Sequence, residues 1–236
     1  MTVAPPVIRG RVPDGYTGRV FYRLETFSYE GALRTVFPTV VKLVDQKLAQ
    51  ELAHPYSRGF SLYRSGMVVD DKGALLPKWR GPLKGRISKA APKSWPEFGI
   101  GGAFTVVSPR VRDVIEELEP GANFFIPTDG ERTDGSGIVR LYVLIIGVAP
   151  ARTALAMEAN GIEHTVTNQG EPVFRHPDWL GWASEQFAYL DPKVVNGHAL
   201  VHATGSLIVF SEELVRRLGN VLPKNKAFVP MGVAER

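Results

Sequence analysis

The stretch from Phe104 to Pro127, FTVVSPRVRDVIEELEPGANFFIP, is echoed by the stretch from Leu207 to Pro230, LIVFSEELVRRLGNVLPKNKAFVP. Ser108, Pro120, Phe125 and Pro127 stand in register with Ser211, Pro223, Phe228 and Pro230. Each copy reads as a β-rich apolar run, a serine N-cap, one helix, a proline stop and a Phe-x-Pro return to extended structure. In the first copy Val111, Val114, Ile115 and Leu118 form one apolar helical face, and Pro109 occupies the first turn, where a missing N–H costs nothing. Leu214, Leu218, Val221 and Leu222 supply the matching face of the second. A duplication of this kind constrains architecture and says nothing of an active site.

The surrounding chain supplies strands. Arg19 to Leu24 alternates as a strand, Phe37 to Leu52 carries apolar residues near helical spacing, and Ile138 to Val148 is the strongest strand by β-branched content. Between them, Lys72 to Gly102 is rich in Gly, Pro and basic residues, which predicts loops, short strands and a boundary. Asn196-Gly197 is a turn pair. The expected class is α+β: a mixed sheet with few helices, containing the duplicated strand, Ser-capped helix and Phe-x-Pro element. Residues 1–98 read as a less regular basic region and residues 99–236 as the α+β core with both echoed units, the whole forming one compact body.

Composition excludes several chemistries. With 236 residues and no cysteine, disulfides, thiolate catalysis and cysteine-ligated metal sites are ruled out, which suits a reducing compartment. Prolines and charges interrupt the first fifteen residues, and the longest apolar run, Leu141 to Ala149, is far too short to span a bilayer. The reading is a soluble, cytoplasmic protein with no membrane partner. The charge is uneven: 16 Lys and Arg against 8 Asp and Glu through Phe98, then 12 against 16 in the remainder. The two parts are thus suited to different partners.

Catalytic patterns are weak. His198 and His202 have a spacing that can present two imidazoles together, but no HExxH or neighbouring acidic cluster completes a metal site. His176-Pro-Asp-Trp179 is equally natural as a turn opening a helix. Gly99-Ile-Gly-Gly102 precedes a strand instead of following one, which fits a flexible approach to a strand better than a phosphate loop. No Gly-x-Ser-x-Gly elbow is present, and Glu116, Glu117 and Glu119 crowd an exposed helix end. The residues predict no enzyme, metal or cofactor; an enzymatic alternative would draw on His176, Asp178 and His198.

Three surface features suggest partner binding. From Lys78 to Lys93 there are six basic residues and no acidic one, with Trp79, Arg80, Lys84 and Arg86 able to grip phosphates or an acidic protein surface. The first echoed helix places Arg112 near its positive end and Glu116 and Glu117 near its negative end, against its dipole by a few tenths of a kcal/mol per charge; a partner meeting its polar face would explain that order. The stretch Thr128 to Ser136 carries Asp129, Glu131 and Asp134 and reads as an acidic loop able to enter a basic cleft, or as a plain polar hairpin loop.

Together, VFYRL, Trp95-Pro-Glu-Phe98, VVSPRVRDVIEELEPG, LYVLIIGV and LIVFSEELVRRL resemble the immunity protein 11 family of bacterial polymorphic toxin systems. The resemblance rests chiefly on Phe104 to Val148 and Leu207 to Pro230; little aligns between Pro150 and Ala199. It implies a cytoplasmic bacterial inhibitor that binds a cognate toxin domain and occludes its active site or substrate path, needing no cofactor. The alternative is a nucleic-acid-binding or regulatory module using residues 78–93.

Overall fold

The computed structural model describes residues 8, 10–26, 41–51, 70, 74–87, 98–100, 105–147, 155–156, 158–161, 163–166, 172–175, 187–204, 207–219 and 226–234. Their class is α+β. One mixed sheet contains β2 (Val41–Leu43), β3 (Leu83–Ile87), β4 (Phe98–Ile100), β5 (Thr105–Val107), β6 (Phe124–Arg132) and β7 (Ile138–Ile145), in the order β2-β3-β6-β7-β5-β4. The other contains β1 (Val20–Thr26), β10 (Tyr189–Leu190), β11 (Leu200–Thr204), β12 (Leu207–Ser211) and β13 (Lys226–Val233), in the order β10-β13-β1-β12-β11. β8 (Glu163–Val166) and β9 (Pro172–Arg175) form a separate hairpin. The helices include α1 (Pro77–Arg80), α2 (Pro109–Leu118), α3 (Pro192–Val195) and α4 (Glu212–Leu218).

The echo is structural. β5, α2 and β6 correspond to β12, α4 and β13, and in both copies the serine hydroxyl caps its helix: Ser108 Oγ accepts from Val111 N and Ser211 Oγ from Leu214 N, each at 3.2 Å. Two strands joined by one helix lie parallel in each sheet with an antiparallel strand inserted between them, β7 in the first sheet and β1 in the second. The likeness extends outward. β3 runs parallel to β6 as β10 runs parallel to β13, and β4 and β5 pair antiparallel as β11 and β12 do.

Even the register repeats. Tyr142 pairs with Val107 and Pro127 in the first sheet, as Tyr22 pairs with Phe210 and Pro230 in the second. The Phe125–Tyr142 rings meet edge to face with centroids 6.4 Å apart, and the Phe228–Tyr22 rings do so at 6.2 Å. Each Phe-x-Pro proline sits just ahead of the parallel neighbour, which begins at Thr128 in one sheet and Gly232 in the other. At that place a missing N–H interrupts no ladder. The strand inserted into the second sheet comes from the start of the chain. In chain order the pattern is therefore β1, β3, β4, β5, α2, β6 and then β7, β10, β11, β12, α4, β13, with the leading strand of each run lodged in the other run's sheet.

The two sheets enclose both helices. Val111 and Ile115 of α2 pack with Leu214, Val215 and Leu218 of α4, between Val107 and Leu144 on one side and Tyr22, Phe210 and Phe228 on the other. Burying each large apolar side chain contributes about 1.5–3 kcal/mol, so this shared core joins the two units. The outer face of the first sheet is covered by α1 through Trp79, with Leu43, Leu83, Val106, Ile126, Val143 and Ile145. The outer face of the second buries Phe21, Leu190, Val195, Val201, Val209 and Met231.

Several local expectations are corrected. Val41–Leu43 is a strand beside β3, and only residues 46–51 of the Phe37 to Leu52 stretch are helical, begun by Asp45 accepting from Lys47 N and Leu48 N at 2.9 and 3.0 Å. Apolar spacing could not reveal the break, because it lies where a short edge strand finds a partner. Gly99 does not sit in a flexible approach to a strand: it lies in β4, paired with Val106. The span Thr128 to Ser136 is not one loop, since β6 continues to Arg132 and the turn begins at Thr133. The residues before Phe98 contribute β1 to one sheet and β2 and β3 to the other. Val221, Leu222, His176, Asp178, Trp179 and Trp182 lie outside the described residues.

Candidate interaction surfaces

One of the charges predicted on α2 is engaged across the seam between the two helices. Glu117 takes a 3.2 Å ion pair from Arg217 of α4, and Arg217 Nε also donates to Glu213 at 2.7 Å. Arg216 holds the same Glu213, and these two arginines lower its carboxyl to a pKa of about 2, Arg216 first. Glu119, just past the end of α2, is buried and lies 3.0 Å from His198 Nδ1. Glu116 accepts from Gly121 N at 3.4 Å. Part of the charge order opposing the dipole of α2 is thus answered by the other unit of the same chain. This exposed pair contributes at most a few tenths of a kcal/mol.

Beside this seam a cleft of about 380 Å³ is lined by Arg19, Val20, Glu119, His198, Ser211 and Glu212, among others. Its floor is the junction of the two units. The Tyr22 phenol of β1 is raised above its ordinary pKa by burial, with a smaller push from the Glu212 carboxylate. His198 is committed to Glu119, and among the described residues no group of three metal-ligating side chains occurs.

Arg112 faces the first sheet. Its guanidinium lies 4.5 Å from the Tyr142 ring centroid and donates to the phenol oxygen at 2.7 Å, while also bonding Asp113. Such stacking holds the long side chain flat on the fold.

The basic and acidic segments meet. Parallel pairing of β3 with β6 places Lys84 beside Asp129 and Arg86 beside Glu131, and β7 adds Arg140 beside Asp129 and Ile138 beside Glu131. Asp129 is ion-paired with Arg140. Asp134 lies in the following turn and accepts from the Ser136 hydroxyl and amide at 2.6 and 2.9 Å, contacts that lower its pKa in that order. Arg80 is exposed and donates to Leu75 O at 2.7 Å. Trp79 is 1% exposed, so its indole belongs to the core. The expected basic loop is in fact α1 and β3 through Ile87, and Lys89 and Lys93 lie outside the described residues. Sequence separation hid the Lys84–Asp129 and Arg86–Glu131 juxtapositions, since nothing local specifies which strands become neighbours.

Two interlocked sheets thus share one helical core, and Lys84, Arg86, Glu131 and Arg140 lie exposed on the first of them. The family model that matches residues 58–233 is described as the Imm11 immunity protein family. The chain belongs to that family. The matched span includes both echoed units from β3 to β13 and leaves out β1, the strand at the centre of the second sheet. No curated protein matches the chain.

Proposed function

We propose that this chain is an immunity protein that binds a cognate bacterial toxin domain one to one and neutralises it by covering its active site or substrate path. The observation that carries the reading is the family match over residues 58–233, which embraces both structural units. Immunity families imply a protein toxin as partner, and inhibition by occlusion asks of the inhibitor only a stable, preorganised surface. The action is stoichiometric and cytoplasmic, takes no cofactor and involves no catalytic residue of this chain. Among the described residues no helix is long and apolar enough to cross a membrane.

A nucleic-acid module built on residues 78–93 gains no support from the fold. Lys84 and Arg86 alternate with carboxylates on the neighbouring strand, so they present no unbroken positive track for phosphates. The test is titration of the toxin encoded beside this gene. Its activity should fall linearly to zero at one equivalent, with a complex isolable by gel filtration, and co-expression should rescue growth. A toxin that stays fully active in a large excess of folded inhibitor would overturn the proposal.

A further inference from the structure

The repeated register allows each position of one sheet to be compared with its counterpart in the other. The row Lys84, Asp129, Arg140 of the first sheet corresponds to Tyr189, Gly232, Val20 of the second. In the second sheet this row is roofed. Tyr16 and Phe187 lie over it with ring centroids 5.2 Å apart, and a Cβ on Gly232 would come within 2.6 Å of the Phe187 ring. The Tyr16 hydroxyl fastens the roof by accepting from Val233 N at 2.6 Å. In the first sheet the same row is open. Lys84, Arg86, Glu131 and Arg140 are exposed, and Ile138, at 70%, is the most exposed large apolar residue among those described.

We propose that this open face, centred on Lys84, Arg86 and Ile138, is where the toxin domain docks, and that the docking segment is acidic and carries an apolar side chain set on Ile138. The inference rests on the immunity reading and gives that reading a surface and a partner chemistry. Charge decides the sign. Asp129 is occupied by Arg140, and among the described residues no ion pair engages Lys42, Lys84, Arg86 or Glu131. Three positive charges against one negative remain for a partner, and Lys42 adjoins Arg86 in register. At the rim, a hollow of about 350 Å³ bounded by Arg86, Glu131, Thr133 and Gly135 has room for a partner side chain. Carboxylates interrupt each row, Asp129 between Lys84 and Arg140 and Glu131 between Arg86 and Ile138. A phosphate backbone crossing the face would meet a carboxylate in every row, whereas a protein of mixed polarity can match both signs and cover the isoleucine.

The experiment is calorimetry of the purified chain with the toxin domain encoded beside its gene, alongside a generic RNA duplex as second probe. Lys84→Glu/Arg86→Glu should weaken toxin binding about 100-fold and flatten its salt dependence, and Ile138→Asp should weaken it about tenfold, while Lys193→Glu on the far unit leaves it unchanged. Circular dichroism confirms folding, and Lys84→Ala/Arg86→Ala replaces the reversal if that variant is misfolded. Unchanged toxin affinity in the face variants would discard this surface and leave the immunity reading standing. Absence of toxin binding by the wild type would remove both. RNA binding by the wild type that the double variant loses would replace the protein partner by nucleic acid.

Discussion

The first and second units share one ladder and differ in what completes it. The first receives as its middle strand β7, the strand that follows β6 in the chain, whereas the second receives β1 from the far end of the sequence. The matching inner positions also diverge: Arg112 lies on the half-buried Tyr142, whereas its echo Val215 shares the core with the buried Tyr22. On the row beyond, aromatic rings close the second unit and charges keep the first open. Corresponding backbone pairing thus carries a row roofed by aromatic rings in the second sheet and an exposed charged row in the first. Local chemistry, not topology, separates scaffold from surface.

The sharpest way to break this comparison is to remove the exchanged strand. Deletion of residues 1–26 takes away the centre of the second sheet and should abolish the cooperative urea transition seen by circular dichroism. A retained single transition at the wild-type midpoint would show that β1 is dispensable. Next in size, Phe210→Ala empties a fully buried place between the units and should cost about 3–5 kcal/mol by urea denaturation. Gly232→Asp writes the first unit's Asp129 into the second, where the Cβ collides with Phe187; a loss of about 1–3 kcal/mol is expected. A change below a few tenths would mean that the roof gives way easily.

Smaller effects test how far the two copies are equivalent. Ser108→Ala and Ser211→Ala should each cost about 1 kcal/mol, since each removes the same cap. Unequal losses would show that the shared core restrains one helix more than the other. Smallest is the titration of Glu213, whose carboxyl is held at about 2 by Arg216 and Arg217. Because the folded pKa lies below the ordinary glutamate value of 4.5, the contribution of this group is complete above that value and fades as pH falls towards 2. Carboxyl NMR should find that low midpoint, and Arg216→Ala should move it back towards 4.5.

Much of the framework was legible in the chain. The serine caps, the apolar face of α2, the Leu214 and Leu218 part of the α4 face, the Phe-x-Pro returns and the strands β1 and β7 all follow from local rules of capping and periodicity. The charge order of α2 opposes its dipole, and within the chain Glu117 is met by Arg217, about a hundred residues away in sequence. Trp79 looked like a surface aromatic because it sits among basic residues, yet its indole fills the outer core of the first sheet. The composition of Thr128 to Ser136, rich in Gly, Asp, Thr and Ser, reads as a loop at Asp129 and Glu131, yet pairing with β3 and β7 carries the strand through.

By itself the sequence determined that two copies of one strand–helix–strand element would form, because caps, stops and apolar periods act over a few residues. Only the tertiary structure decided that the copies exchange their middle strands, press their helices into one core and leave one sheet face uncovered. Those outcomes depend on pairings between residues far apart in the chain. Such pairings are selected by the burial and hydrogen bonding of the whole, and no local pattern records them.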